Sequence, residues 1–118
     1  MKVKIKTEIP GPRSIELSRQ RSKAVARGHG SVCGIFIAKA EGSNLVDVDG
    51  NIFIDYAGGI GTMNVGHSHP RVLEAIKHQT DQFVHPCFTV MPYEPYVSLA
   101  TELSNKAPIS QACKSVFF

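Results

Sequence analysis

Two short clusters carry side chains able to hold a metal or move a proton: His67-x-His69 and His85-x-Cys87. Imidazole and thiolate are the ligands zinc accepts in tetrahedral sites. The helix expected between them defeats the combination. At 1.5 Å per residue it sets His69 and His85 roughly 20 Å apart, beyond the reach of one ion, so no metal site is assigned. Cys87 has His85 two residues away as a candidate base, but no carboxylate to orient it. Cys87 therefore reads as a small buried hydrophobe. A third cluster, Gly58-Gly59-Ile60-Gly61, begins like a dinucleotide fingerprint at Gly59-x-Gly61. Asn64 stands where the third glycine belongs, and the strand before it is part of a hairpin. The glycines read instead as a bend or close backbone approach beside a ligand pocket. No catalytic residue emerges.

The elements that position these residues must come from 118 residues, a length that suits one domain. No run of eighteen apolar residues occurs, so neither a membrane span nor a membrane partner is expected. Charge is uneven, +6 over residues 1–30 and −3 over 31–118. The basic residues are scattered among Glu8, Glu16 and serines without aromatic stacking partners, which argues against nucleic acid. Three cysteines, Cys33, Cys87 and Cys113, at long unequal spacings give no disulfide framework and point to a reducing compartment. The alternating Lys and apolar residues after Met1 lack the continuous apolar core of a secretory signal. A cytoplasmic location follows.

Pro10-Gly11-Pro12 breaks the chain, and the stretch from Ser14 to Ala26 favours a helix with a thin stripe of Ile15, Ser18, Ser22, Val25 and Ala26. Residues 35–38, 45–48 and 52–56 read as an antiparallel meander, with Asp49-Gly50 as a tight hairpin turn in which both positions tolerate positive φ. The spacing of Val72, Leu73, Ile76, Thr80 and Phe83 predicts an amphipathic helix over 70–83 starting at Pro70. A second starts at Glu94-Pro95, with Tyr96, Leu99, Ala100, Leu103 and Ala107 on one face and Pro108 as its stop. Tyr93 and Tyr96 read first as packing residues. Ser115-Val116-Phe117-Phe118 is apolar and β-like, the start of a buried strand. The fold class is thus an α+β segment: a helix, a meander, two helices and the opening of a strand.

The series Asp55-Tyr56-Ala57-Gly58-Gly59-Ile60, Asn64-Val65-Gly66-His67-Ser68-His69-Pro70, His85-Pro86-Cys87-Phe88 and Tyr93-Glu94-Pro95-Tyr96 resembles the N-terminal part of class III aminotransferases of the 4-aminobutyrate type. The resemblance runs from about Arg13 to Phe118. It implies residues 1–13 as an arm and 14–118 as part of the α/β pyridoxal-phosphate transferase fold of type I, comprising small-domain strands, a pocket loop and helices leading to a large domain. It further implies a homodimer in which a lysine covalently holds pyridoxal phosphate, and transfer of nitrogen from an ω-amino acid to 2-oxoglutarate. Ile60 then corresponds to a substrate-pocket position, and Phe88 and Thr89 to a segment at the dimer interface near the neighbouring active site. The family's phosphate-cradling turn, the aspartate beneath the pyridine ring and the cofactor lysine fall after Phe118. No residue of this chain is thus assigned to the cofactor, and the chain alone should be silent. Two other readings stay open: a non-catalytic interaction or dimerisation module, and a class III enzyme of the ornithine or acetylornithine type.

Overall fold

The computed structural model describes residues 2–117. Where one domain is expected, the chain divides into two compact units, with the boundary between Ala75 and Ile76. The long-range pairing of the meander lies wholly in the first unit, and the second is closed by aromatic contacts and by hydrogen bonds that each involve a side chain.

In the first unit, helix α1 (Pro12–Ala24) precedes strands β1 (Ile37–Glu41), β2 (Asn44–Asp47) and β3 (Ile52–Ile54). The strands form an antiparallel sheet in the order β1-β2-β3, the expected meander. Helix α1 starts inside the expected break because Pro12 occupies the first turn, where proline's missing N–H costs nothing. Its inward line is Ser14, Leu17, Ser18 and Arg21 rather than the expected stripe, and Ile15 and Val25 are each about two-fifths exposed. Polar docking selects this face.

That docking is a helix cap supplied from a distant loop. Gly11 leaves the helix N-terminus without a side-chain cap, and a Cβ there would meet Asp49 Cγ at 2.4 Å. Asp49 Oδ1 accepts from the Arg13 amide at 2.8 Å, and Oδ2 accepts from the Ser14 amide at 3.0 Å and the Ser14 hydroxyl at 2.7 Å. These bonds satisfy amides that no helical carbonyl can reach, and they set a carboxylate at the positive end of the helix dipole. Burial opposes ionisation of Asp49, but the Ser14 and Arg13 hydrogen bonds outweigh it and hold its pKa below the ordinary value.

The loop carrying Asp49 departs from the expected two-residue turn. Strand β2 ends at Asp47 and β3 begins at Ile52, and within the loop only Gly50 takes positive φ, at 85°. Asp47 makes the difference: its Oδ1 accepts from the amides of Asp49 at 2.9 Å and Asn51 at 2.7 Å, so a side chain shapes the turn. Asn51 completes the knot. Its Nδ2 donates to Asp47 Oδ2 at 2.7 Å and Thr7 Oγ1 at 3.0 Å, and its Oδ1 accepts from the amides of Lys6 at 2.7 Å and Thr7 at 3.1 Å. Lys4 and Ile52 then exchange backbone bonds, which ties the expected arm to β3.

Ser14, Asp47 and Asn51 are the buried polar side chains of the described residues, and none of their apolar side chains is buried. The second unit contains most of α3 (Pro70–Gln82) and all of α4 (Glu94–Lys106). Here the expected apolar faces stay open: Ile76, Leu99 and Leu103 are each about half exposed. The half-buried line of α4 keeps Tyr96, Ala100 and Ala107 of the expected face and adds Ser104. An aromatic cluster closes the unit, with Phe88 stacked on Tyr96 at 3.8 Å between ring centres, Tyr93 edge-on to both, and Phe117 edge-on to Tyr96 at 4.7 Å. Such pairs contribute about 0.5–1.5 kcal/mol each beyond their burial. Cys113, Ser115 and Phe117 are half-buried and alternate with exposed Lys114 and Val116, the period of an extended segment. Phe118, the end of the expected strand, lies outside the described residues.

Replacing Asn51 by alanine strands the Lys6 and Thr7 amides and one face of the Asp47 carboxylate. Unfolding free energy of the first unit should fall by about 1–3 kcal/mol, read from the midpoint of a urea titration. An unchanged midpoint would show that the knot is not a stabilising element.

Candidate functional site

The glycine cluster forms a single helical turn, α2 (Gly58–Gly61), of the wrong hand. All four residues have positive φ, from 51° to 81°. Glycine adopts this conformation freely, but Ile60 (φ 58°, ψ 50°) is β-branched, and its left-handed conformation costs roughly 1–2 kcal/mol. Strain of this kind persists only where the surroundings over-determine it, and it concentrates at functional positions. The turn lifts the Ile60 side chain out of the protein, leaving it 95% exposed, and Tyr56, four residues earlier, is 92% exposed. Thr62 Oγ1 donates to the Gly59 carbonyl at 3.0 Å within the same turn.

Asp55 anchors this structure. Its Oδ1 accepts from the amides of Ala57 and Gly58, both at 2.9 Å, and its Oδ2 meets His67 Nε2 at 2.7 Å. The Asp55 side chain is only 9% exposed and that of His67 20%. The hydrogen bond from His67, then that from the Gly58 amide, hold the Asp55 pKa below its ordinary value. Residues 55–67 thus form a compact loop whose two feet meet. Neither foot was assigned a role from sequence: His67 drew attention only as a zinc ligand, and the structure commits its Nε2 to Asp55. The legible signal was Asp55 two residues before Ala57, the spacing of an Asx turn. Among the described residues no three His, Cys, Asp or Glu side chains converge.

Phe88 and Thr89 lie in the second unit. Phe88 is half-buried in the aromatic cluster, and Thr89 is exposed beside the exposed apolar residues Val90 and Met91. Cys87 corrects its expected burial: it is exposed, at φ 61°, because it heads the turn after Pro86 and its carbonyl accepts from the amides of Val90 and Met91 at 2.9 Å. A groove of about 410 Å³ beside this cluster is lined by Phe88, Tyr96, Ala100, Ser104, Cys113 and Ser115, among others. In the first unit a groove of about 580 Å³ is lined by Lys39, Glu41 and Asn44, among others.

Comparison with known proteins accounts for this motif series. The family model for class III aminotransferases matches residues 24–118. The chain belongs to the class III aminotransferases. It is 43% identical over 112 residues to the 4-aminobutyrate aminotransferase of Mycobacterium leprae, covering 95% of this chain and 25% of that one. It is 49% identical over 96 residues to a probable 4-aminobutyrate aminotransferase of Bacillus subtilis, covering 81% and 21%. Among solved structures, an ω-transaminase from Sphaerobacter thermophilus superposes with a TM-score of 0.72 at 24% identity, covering 84% of this chain and 23% of that one, a likeness of fold. The chain thus spans about a quarter of the length of the curated relatives it matches. No helix among the described residues is long and apolar enough to cross a membrane.

Enzymes of this family depend on pyridoxal phosphate, which is held through a lysine kept from water and a carboxylate set against its ring nitrogen. The residues described here do not fit that requirement. Every lysine is exposed, Asp47, Asp49 and Asp55 have their oxygens occupied by amides, a hydroxyl and an imidazole, and Asp81 and the glutamates are exposed.

Because folding lowers the Asp55 pKa, the folded loop prefers the carboxylate. Its contribution is present above the ordinary value of 3.8 and is lost as pH falls through the lower folded value. In an acid titration by NMR, exchange protection of the Ala57 and Gly58 amides should survive to pH 3.8 and vanish below it. Loss at higher pH would contradict the lowered value.

Proposed function

We propose that the chain forms part of the substrate-pocket wall of a transaminase that moves the amino group of an ω-amino acid of the 4-aminobutyrate type to 2-oxoglutarate. The carrying observation is its 43–49% identity, over 81–95% of the chain, to relatives named as 4-aminobutyrate aminotransferases. Ile60 supports the reading in its own right: an exposed apolar side chain held on a strained turn is suited to the methylene chain of a four-carbon substrate. Phe88 and Thr89 belong to a surface that meets a second subunit near its active site, and the exposed Val90 and Met91 beside them support this assignment.

In the whole enzyme, pyridoxal phosphate held by residues other than those described here would supply the electron sink. The cofactor lysine comes from sequence without a counterpart among these residues, since the lysines here are all exposed. The chain by itself is catalytically silent. The working protein is a cytoplasmic homodimer. A second reading, a non-catalytic interaction module, draws on the absence of any buried apolar side chain among the described residues.

A hybrid tests both. With this chain replacing the matched quarter of the Mycobacterium leprae relative, the protein should bind the cofactor and transaminate 4-aminobutyrate. Ile60→Gln in that hybrid should lower kcat/KM about tenfold, or about 1.4 kcal/mol. A hybrid that binds cofactor but leaves 4-aminobutyrate untouched would contradict the proposal and favour the interaction module.

A further inference from the structure

The geometry points to Asp55 and His67 as positioning residues that together fix the left-handed turn presenting Ile60, an inference whose functional meaning rests on the pocket-wall reading above. Asp55 Oδ1 takes the two amides that open the turn, Ala57 and Gly58, while Oδ2 takes His67 Nε2 at 2.7 Å. Both feet are in turn fixed to the sheet. The His67 backbone exchanges bonds with Gly42 at 2.8 and 2.9 Å, and the Asp55 amide donates to the Ser43 carbonyl at 2.9 Å. The β1–β2 turn therefore holds the loop at both ends.

The intervening residues have no such anchorage. Within 56–66, Tyr56, Ile60 and Val65 are largely exposed, and the hydrogen bonds of the turn are local, running from the amides of Gly61, Thr62 and Met63 back to Ala57 and Gly58. Nothing packed on Ile60 enforces its positive φ. The constraint enters at the turn's first two amides, and Asp55 sets both of them. His67 holds the carboxylate in the rotation that aims Oδ1 at those amides. The pair thus converts a buried contact at the feet into a defined direction for an exposed side chain at the tip.

NMR of the 118-residue chain tests this directly. Ile60 should give the strong intraresidue amide–Hα NOE that marks positive φ. His67→Gln, whose amide nitrogen reaches the place of Nε2, should keep that signal. His67→Asn, equally polar but too short, and Asp55→Ala should lose it, with at least tenfold faster exchange at Ala57 and Gly58 and unchanged protection at Lys4 and Ile52. The inference is overturned if the NOE is absent from the unsubstituted chain, survives in His67→Asn or Asp55→Ala, is lost in His67→Gln, or disappears only together with the Lys4 and Ile52 protection. These outcomes are independent of the hybrid: an Ile60→Gln hybrid of unchanged kcat/KM removes the pocket-wall reading and leaves the pairing intact.

Discussion

Asp47 and Asn51 face each other across four residues of chain, and the order of the first unit starts from that contact. Asn51 spends all its hydrogen-bonding capacity on Asp47, Lys6 and Thr7. The turn it helps shape puts Asp49 over the N-terminus of α1. One loop therefore secures the N-terminal segment, the first helix and the β2–β3 connection. A buried polar network of this kind is stable only when every member is satisfied, and with no buried apolar side chain among the described residues the tolerance for error is small.

The same logic recurs at the glycine-rich loop of residues 55–67. Asp55 does for α2 what Asp49 does for α1: a carboxylate takes two consecutive amides at the start of a helical segment, Asp55 from just before it and Asp49 from a distant loop. The sheet itself is small, and its function is to hold these carboxylates in place. Apolar surface stays open on α3 and α4, at Ile76, Leu99 and Leu103 among others.

Much of this was legible in the sequence. The meander followed from short apolar runs between turn residues, and α3 and α4 from proline starts and apolar spacing, because each depends on local pattern. Helix α1 was legible as a helix-favouring stretch, but Pro12, expected in a break, forms its first turn. The motif series gave the family. What stayed hidden was polar and long-range. Ser14 and Asp49 stand 35 residues apart, Asn51 and Lys6 45, and no periodicity reports such pairings. The expected stripes held only in part, at Ser18 on α1 and at Tyr96, Ala100 and Ala107 on α4, because hydrophobic spacing assumes an apolar partner, whereas α1 docks through Ser14 and α4 turns Leu99 outward. Ile60 was singled out by resemblance, and its left-handed backbone could not be read, since β-branched residues rarely adopt it.

Native-state hydrogen exchange across the first unit measures the central claim most directly. If the polar knot organises the unit, the amides of Lys6, Thr7, Ser14 and Asn51 exchange most slowly, and with a common opening free energy. Slowest exchange in the middle of α1, with those four amides open, would contradict it.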